Sequence, residues 1–155
     1  MRLTAFTDFG LRALMRLAGE PDRSFTTDEI ASEFAISRHH LVKVVRRLAE
    51  AGYVRTQRGA GGGFALARPA RAITLGEVVR DLEDDQPLVE CFRADGGNCV
   101  LTPRCRLKKK LAAAREAFLK ELDATSLADC AYSPPARRRA IAIDPFSRHP
   151  ERSRP

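Results

Sequence analysis

The sequence predicts a mainly α fold with a small β-hairpin: a winged helix-turn-helix plus a long dimerisation helix. Three patterns predict it. Apolar residues recur at helical spacing in successive segments up to Gly52, the period then changes to two on either side of a glycine run, and helical spacing returns over a long stretch beyond an irregular segment.

The first helix places Phe6, Phe9, Ala13 and Leu17 on one face, and Gly19 and Pro21 end it. Thr26 and Thr27, followed by Asp28 and Glu29, form a helix start with acids at the positive end of the dipole. This second helix buries Ile30, Ala31 and Phe34 and stops near Ile36. Ser37 caps a third helix in which Leu41, Val44, Val45 and Leu48 recur at i, i+3, i+4 and i+7, with Arg38, His39, Lys43, Arg46 and Arg47 on the other face. Gly52 is its C-terminal stop. Residues 53–57 and 64–67 read as two short strands joined by a glycine-rich tip, 58–63, and Pro69 ends the second. Thr74 with Glu77 is a capping-box pattern opening a fourth helix with Leu75, Val78, Val79 and Leu82. An irregular stretch follows, to about Pro103. A long helix is expected from roughly Thr102, with Pro103 in its first turn, to about Asp123. Leu107, Leu111, Ala114, Phe118 and Leu122 line its apolar stripe, widened by Ala112 and Leu119. A broad apolar face this far from the N-terminal core is suited to dimerisation. The expected organisation is a winged helix over 1–82, a cysteine loop over 83–105, a dimerisation helix over 106–130 and a disordered basic tail over 131–155.

The net charge of +7 is unevenly spread. From Pro134 to Pro155 six Arg face Asp144 and Glu151, so the tail carries +4 and the body +3. Within the body, eight basic residues face only Glu50 between Ser37 and Arg71, whereas seven acids face two Arg between Ala72 and Val100. That segregation points to a single nucleic-acid face. In a winged helix-turn-helix the third helix enters the major groove of double-stranded DNA. Ser37, Arg38, His39, His40 and Lys43 then lie nearest the bases, and Arg46 and Arg47 nearer the phosphates. Gly61 and Gly62 in the wing allow close backbone approach, and Arg58 can enter the minor groove. The plainer alternative is a solvated helix face with a surface loop. His39 and His40 cannot share a metal ion, because adjacent helical side chains diverge by about 100°.

Asp8 interrupts the N-terminus where a signal peptide would need an apolar run, and no stretch approaches the ~20 apolar residues of a membrane span. The chain is therefore expected in the cytoplasm, away from membranes, with reduced thiols. No nucleophilic triad or carboxylate pair stands out, and the glycine loop lacks the Lys-Ser/Thr of a phosphate loop, so an enzyme is not expected. Cys91, Cys99 and Cys105 have the spacing C-x7-C-x5-C. A reducing compartment argues against disulfides, and zinc sites usually show C-x2–4-C pairs. Three thiolates at longer spacing can hold an iron–sulfur cluster, but buried or redox-active thiols fit the spacing as well. Cys130 reads as a small apolar residue in a terminal turn.

Several runs resemble the iron–sulfur winged-helix regulators that include the IscR, RirA and NsrR types. They are Phe6-Thr7-Asp8-Phe9-Gly10-Leu11-Arg12-Ala13-Leu14, Gly52-Tyr53-Val54, Arg58-Gly59 with Gly62-Gly63, and Gly76-Glu77-Val78-Val79-Arg80. Leu88-Val89-Glu90-Cys91, the run Cys99 to Lys108, Ala117-Phe118-Leu119 and Leu127-Ala128-Asp129 resemble the NsrR-type branch. The resemblance covers about residues 1 to 130. It implies a homodimeric, nitric-oxide-sensing repressor of operator DNA whose cluster is held by Cys91, Cys99 and Cys105, with [4Fe-4S] preferred to [2Fe-2S]. A first-helix carboxylate from the partner subunit is the fourth ligand in some members, and Asp8 occupies that position; its plainer role is an acid at a helix N-terminus. The histidine ligand of IscR-type members is replaced here by Lys108. Cys130 and the Arg-rich tail depart from the family. Sensing of iron or cluster supply, metal-free thiol redox regulation and iron–sulfur electron transfer remain as alternatives.

Overall fold

The computed structural model describes residues 2–57, 59, 62–83, 87–102 and 104–134. The expectations for Arg58, Gly61, Pro103 and the tail from 135 onward lie outside the described residues.

Helix α1 (Ala5–Gly19) is capped by Thr4, whose hydroxyl accepts from the Thr7 amide. Its buried stripe is Thr7, Gly10, Ala13, Leu14 and Leu17, while Phe6 and Phe9 pack only partly. The reason is a close approach. Leu82 and Val44 lie directly over Gly10, so the small residue takes the inward position and the two rings are displaced to the flank. Helix α2 (Thr27–Glu33) starts with the expected cap as a full capping box between Thr26 and Glu29. Phe34 is only half-buried and meets Tyr132, ring centroids 5.9 Å apart.

Helix α3 (Arg38–Glu50) follows a tight turn in which Ala35 adopts φ 53°. Ser37 sits at its N-cap, but its side chain makes no capping bond; only its backbone carbonyl serves, accepting from Leu41 at 3.0 Å. Leu41, Val44 and Leu48 are fully buried and Val45 nearly so. Gly52 turns the chain at φ 78°, as expected of a helix stop. Strands β1 (Val54–Gln57) and β2 (Gly63–Leu66) pair antiparallel with Val54 opposite Leu66 and Gln57 opposite Gly63. Phe25 adds a third position to this sheet through two backbone bonds with Phe64, at 2.9 and 2.8 Å.

Helix α4 (Leu75–Glu83) has half of the expected capping box. Thr74 accepts from the Glu77 amide at 3.2 Å, but the Glu77 carboxylate is taken by Arg68 at 2.7 Å. Helix α5 is Arg106–Asp123, starting some four residues later than the spacing suggested. The Thr102 amide is engaged in a turn with the Cys99 carbonyl, and Cys105 is extended, so helical backbone cannot begin before Arg106. Of the stripe expected on α5 only Leu119 is buried; Leu111, Phe118 and Leu122 are half-buried, and Leu107, Ala112 and Ala114 are exposed.

The core joins α1, α2, α3, the hairpin and α4, and the chain after α5 returns to it. Leu127, in the 3₁₀ turn Leu127–Cys130, is fully buried, and its amide donates to Ile73 at 2.8 Å. Tyr132 donates to the Met15 carbonyl at 2.9 Å and Ser133 to that of Gly19 at 3.0 Å, so residues placed at the head of the expected tail are held against α1. No helix among the described residues is long and apolar enough to cross a membrane.

Candidate nucleic-acid interface and cysteine loop

Because one face of α3 is locked into the core, the other is presented rigidly. Ser37, Arg38, His39, His40, Val42, Lys43 and Arg46 are all exposed on it. Arg38 pairs with Asp28 at 2.6 Å and Arg46 with Glu50 at 2.8 Å, and the two arginines remain 68% and 81% exposed. Exposed pairs of this kind contribute at most about 1 kcal/mol, so a phosphate can replace the carboxylate. The His39 and His40 rings are 6.2 Å apart and inclined by 59°, in keeping with side chains that do not converge on one ion. Arg47 behaves differently from the expectation. It is half-buried and donates from one terminal nitrogen to the Asp81 carbonyl at 2.9 Å, so part of its guanidinium fastens α3 to α4. Val42 did not figure in the sequence reading; the available signal was its position off the stripe of Leu41, Val44, Val45 and Leu48.

The base of the hairpin is held from below. Arg16, only 3% exposed, donates from Nε to both carboxylate oxygens of Glu33 at 3.0 Å and from a terminal nitrogen to Glu20 at 2.7 Å. Its guanidinium lies 4.5 Å from the Phe25 ring centroid, and that of Arg23 lies 4.3 Å from it. Phe25 is bonded to Phe64 of β2, so this cluster ties α1, α2 and the wing together. The Arg16 hydrogen bond holds the Glu20 carboxyl below its ordinary range. Tyr53 donates to Asp81 at 2.5 Å; burial first, then that bond, pushes its hydroxyl upward, so it stays a neutral donor. Gly62 closes the wing tip by donating to Gly59 at 2.8 Å.

The cysteine loop lies between α4 and α5. Cys91 is in the 3₁₀ turn Glu90–Phe92, Cys99 follows the Gly96-Gly97 turn, and Cys105 is the N-cap of α5, its sulfur accepting from the Lys108 amide at 3.4 Å. All three are free and half-buried. Glu90 organises the loop by accepting from the Asn98 amide at 3.1 Å, while Val100 is 93% exposed. Cys91 and Lys108 share an open groove of about 900 Å³ with Leu88, Phe92, Ala112 and Arg115. Cys99 and Cys105 do not line it. Asp8 is half-exposed and bound to Arg12 at 3.1 and 2.8 Å. Among the described residues no three His, Cys, Asp or Glu side chains converge to hold a metal ion, so Asp8 and the three cysteines do not form a ligand set within one chain. The donor chemistry nonetheless suits iron: three free thiols within fifteen residues, one already accepting a backbone hydrogen bond, on a loop half open to solvent. Cys130 is half-buried in a different turn, Leu127–Cys130, away from the cysteine loop in sequence.

The sequence profile of the Rrf2 family, described as an iron-dependent transcriptional regulator, matches residues 3–133. The chain is 48% identical over 130 residues to the HTH-type transcriptional regulator NsrR of Geobacillus kaustophilus, covering 83% of this chain and 88% of that protein. It is also similar to the solved structure of CymR, the global cysteine regulator of B. subtilis, with a TM-score of 0.69 and 30% identity over 84% of this chain and 96% of that one. A third relative is IscR of T. potens, with a TM-score of 0.66 and 25% identity over 83% of this chain and 85% of that one.

Proposed function

The chain belongs to the Rrf2 family of iron-dependent transcriptional regulators, and from that premise we propose that it is a cytoplasmic, homodimeric repressor that senses nitric oxide through an iron–sulfur cluster. The observation that carries the DNA-binding part is the outward face of α3, where Arg38, His39, His40, Lys43 and Arg46 are exposed on a helix anchored by Leu41, Val44 and Leu48. In this reading Ser37, Arg38, His39, His40 and Lys43 meet base edges in the major groove and Arg46 meets phosphate, while Arg58, Gly61 and Gly62 approach the minor groove.

Cys91, Cys99 and Cys105 would hold the cluster, [4Fe-4S] in preference to [2Fe-2S], with Asp8 of the partner subunit as a fourth, harder donor. When bound, the cluster supplies iron that nitric oxide can attack, most readily where the ligand is oxygen rather than sulfur. The chain supplies the rest. Asp8 is held only by an exposed pair with Arg12, so its carboxylate is available to another partner. Asp8 and Arg16 lie on one helix, and Arg16 grips α2 and Phe25, so a displacement of α1 reaches the reading helix and the wing together. A loss of roughly 2–4 kcal/mol in DNA affinity would relieve repression about 30- to 1000-fold. The family description as iron-dependent favours a second reading, a regulator that responds to iron or cluster supply.

Anaerobic purification with iron and sulfide counted, followed by DNA-binding titrations with and without nitric oxide, tests the proposal. Alanine at Cys91, Cys99 or Cys105 should abolish iron retention, and alanine at Cys130 should not. Release of DNA on iron depletion but not on nitric oxide would select the second reading. A protein that retains neither iron nor sulfide would overturn both.

A further inference from the structure

The residues on the exposed face of α3 are polar or charged except for Val42, which is 44% exposed. A single exposed valine is ordinary on a protein surface. Its setting here is not. Val42 follows Arg38 by four residues and His39 by three, and precedes Arg46 by four, so helical spacing puts it in the middle of the cationic face. The core gains little from it, because Leu41, Val44, Val45 and Leu48 already fill the inward side at 0–7% exposure. A β-branched residue is also slightly unfavourable in a helix, so local stability does not account for it.

From this we infer that Val42 is a specificity-determining residue that reads the C5-methyl of a thymine in each half-site. The inference rests on the reading that α3 enters the major groove. Thymine presents a methyl group there beside its O4 acceptor, whereas guanine, adenine and cytosine present hydrogen-bonding atoms and no methyl. Val42 can neither donate nor accept, and covering an amine or carbonyl without replacing its water bonds is penalised. It therefore favours thymine by burying the methyl and disfavours the polar alternatives. The surrounding Arg38, His39, Lys43 and Arg46 supply hydrogen bonds and charge, and Val42 adds the apolar discrimination they lack. Burying one methyl contributes about four-fold in affinity, or roughly fifteen-fold when a dimer uses two half-sites.

The test starts from the full-length protein, purified anaerobically, and the duplex it enriches most strongly from a random-sequence pool. Each thymine of that duplex is replaced by deoxyuridine, which removes the methyl and nothing else. Wild type should lose about four-fold in affinity at one thymine per half-site. Val42→Ser should bind the thymine and uracil duplexes equally, and Val42→Thr, which keeps one methyl, should retain the preference. Circular dichroism of both variants should match wild type, since the site is exposed. Uniform indifference of wild type to uracil, or a preference that survives in Val42→Ser, would overturn the inference while leaving α3 as the reading helix. Failure of the pool to yield any enriched duplex would overturn the placement of α3 itself.

Discussion

The winged helix and the segment from Pro87 to Asp123 use their apolar residues in opposite ways. In the first, Leu14, Leu17, Ile30, Leu41, Leu48 and Ile73 are at most 1% exposed, and even Arg16 is enclosed with two carboxylates and an aromatic ring. In the second, Leu119 is the one buried residue of α5, while Leu107 is 62% and Val100 93% exposed. The difference divides the labour. The exposed cationic face of α3 is fixed by a core that the chain completes by itself. The cysteine segment has no such core of its own; on the function proposed above, its packing would depend on what the cysteines hold and on a second copy against α5. Regions that open or reorganise are drawn from the weakly packed part of a fold, which is where a sensing element has to be.

The largest effect expected from this contrast lies in the core. Leu14→Ala should cost about 2–5 kcal/mol in urea unfolding, because the cavity is enclosed on every side. Leu107→Ala should change chain stability by less than ~0.5 kcal/mol while weakening self-association in sedimentation. Equal destabilisation by the two would break the contrast. A smaller effect is expected where the two regions meet. Gly76 lies under Asp123, and a Cβ there would come within 2.9 Å of the Asp123 backbone nitrogen as well as meeting its carboxylate. That carboxylate is held by both terminal nitrogens of Arg80 at 2.6 Å. Gly76→Ala should therefore cost roughly 1–3 kcal/mol and raise hydrogen exchange in α5 without raising it in α3. Uniform exchange changes would mean that α5 is as integral to the core as α3.

Much of this organisation was legible in the sequence, for a physical reason. The period of Leu41, Val44, Val45 and Leu48 records burial directly, and the helix start at Thr26 and the Gly52 stop are local devices formed by residues a few positions apart. Features that depend on distant partners were not legible. Arg16 is buried because Glu33 and Phe25 reach it, and Arg47 is partly occupied because the chain returns 34 residues later with Asp81. The start of α5 was misplaced because a cysteine, not a usual capping residue, stands at Cys105. The cysteine trio was legible as donor chemistry, whereas the convergence of those donors is a property of three dimensions, and one chain does not display it.

The smallest effect separates the two regions by acid. Glu20 is held below its ordinary 4.5 chiefly by the Arg16 bond, and Glu29 chiefly by the Thr26 amide. Near α5, Asp123 is held below its ordinary 3.8 chiefly by Arg80, and Asp129 chiefly by the Ser126 hydroxyl. A carboxyl lowered in the folded chain contributes stability that is complete above its unfolded value and is lost as pH falls through the folded one. The melting temperature should thus be flat above about pH 5.5, decline once pH drops below the glutamate range, and decline further through the aspartate range. Because these groups are solvent-facing, salt should shrink the decline. Asp123→Asn should remove only the part of the slope at lowest pH, and α5 amides should open first in wild type as that part is lost. A melting temperature independent of pH down to about 3 would deny these carboxylates any share in holding either region.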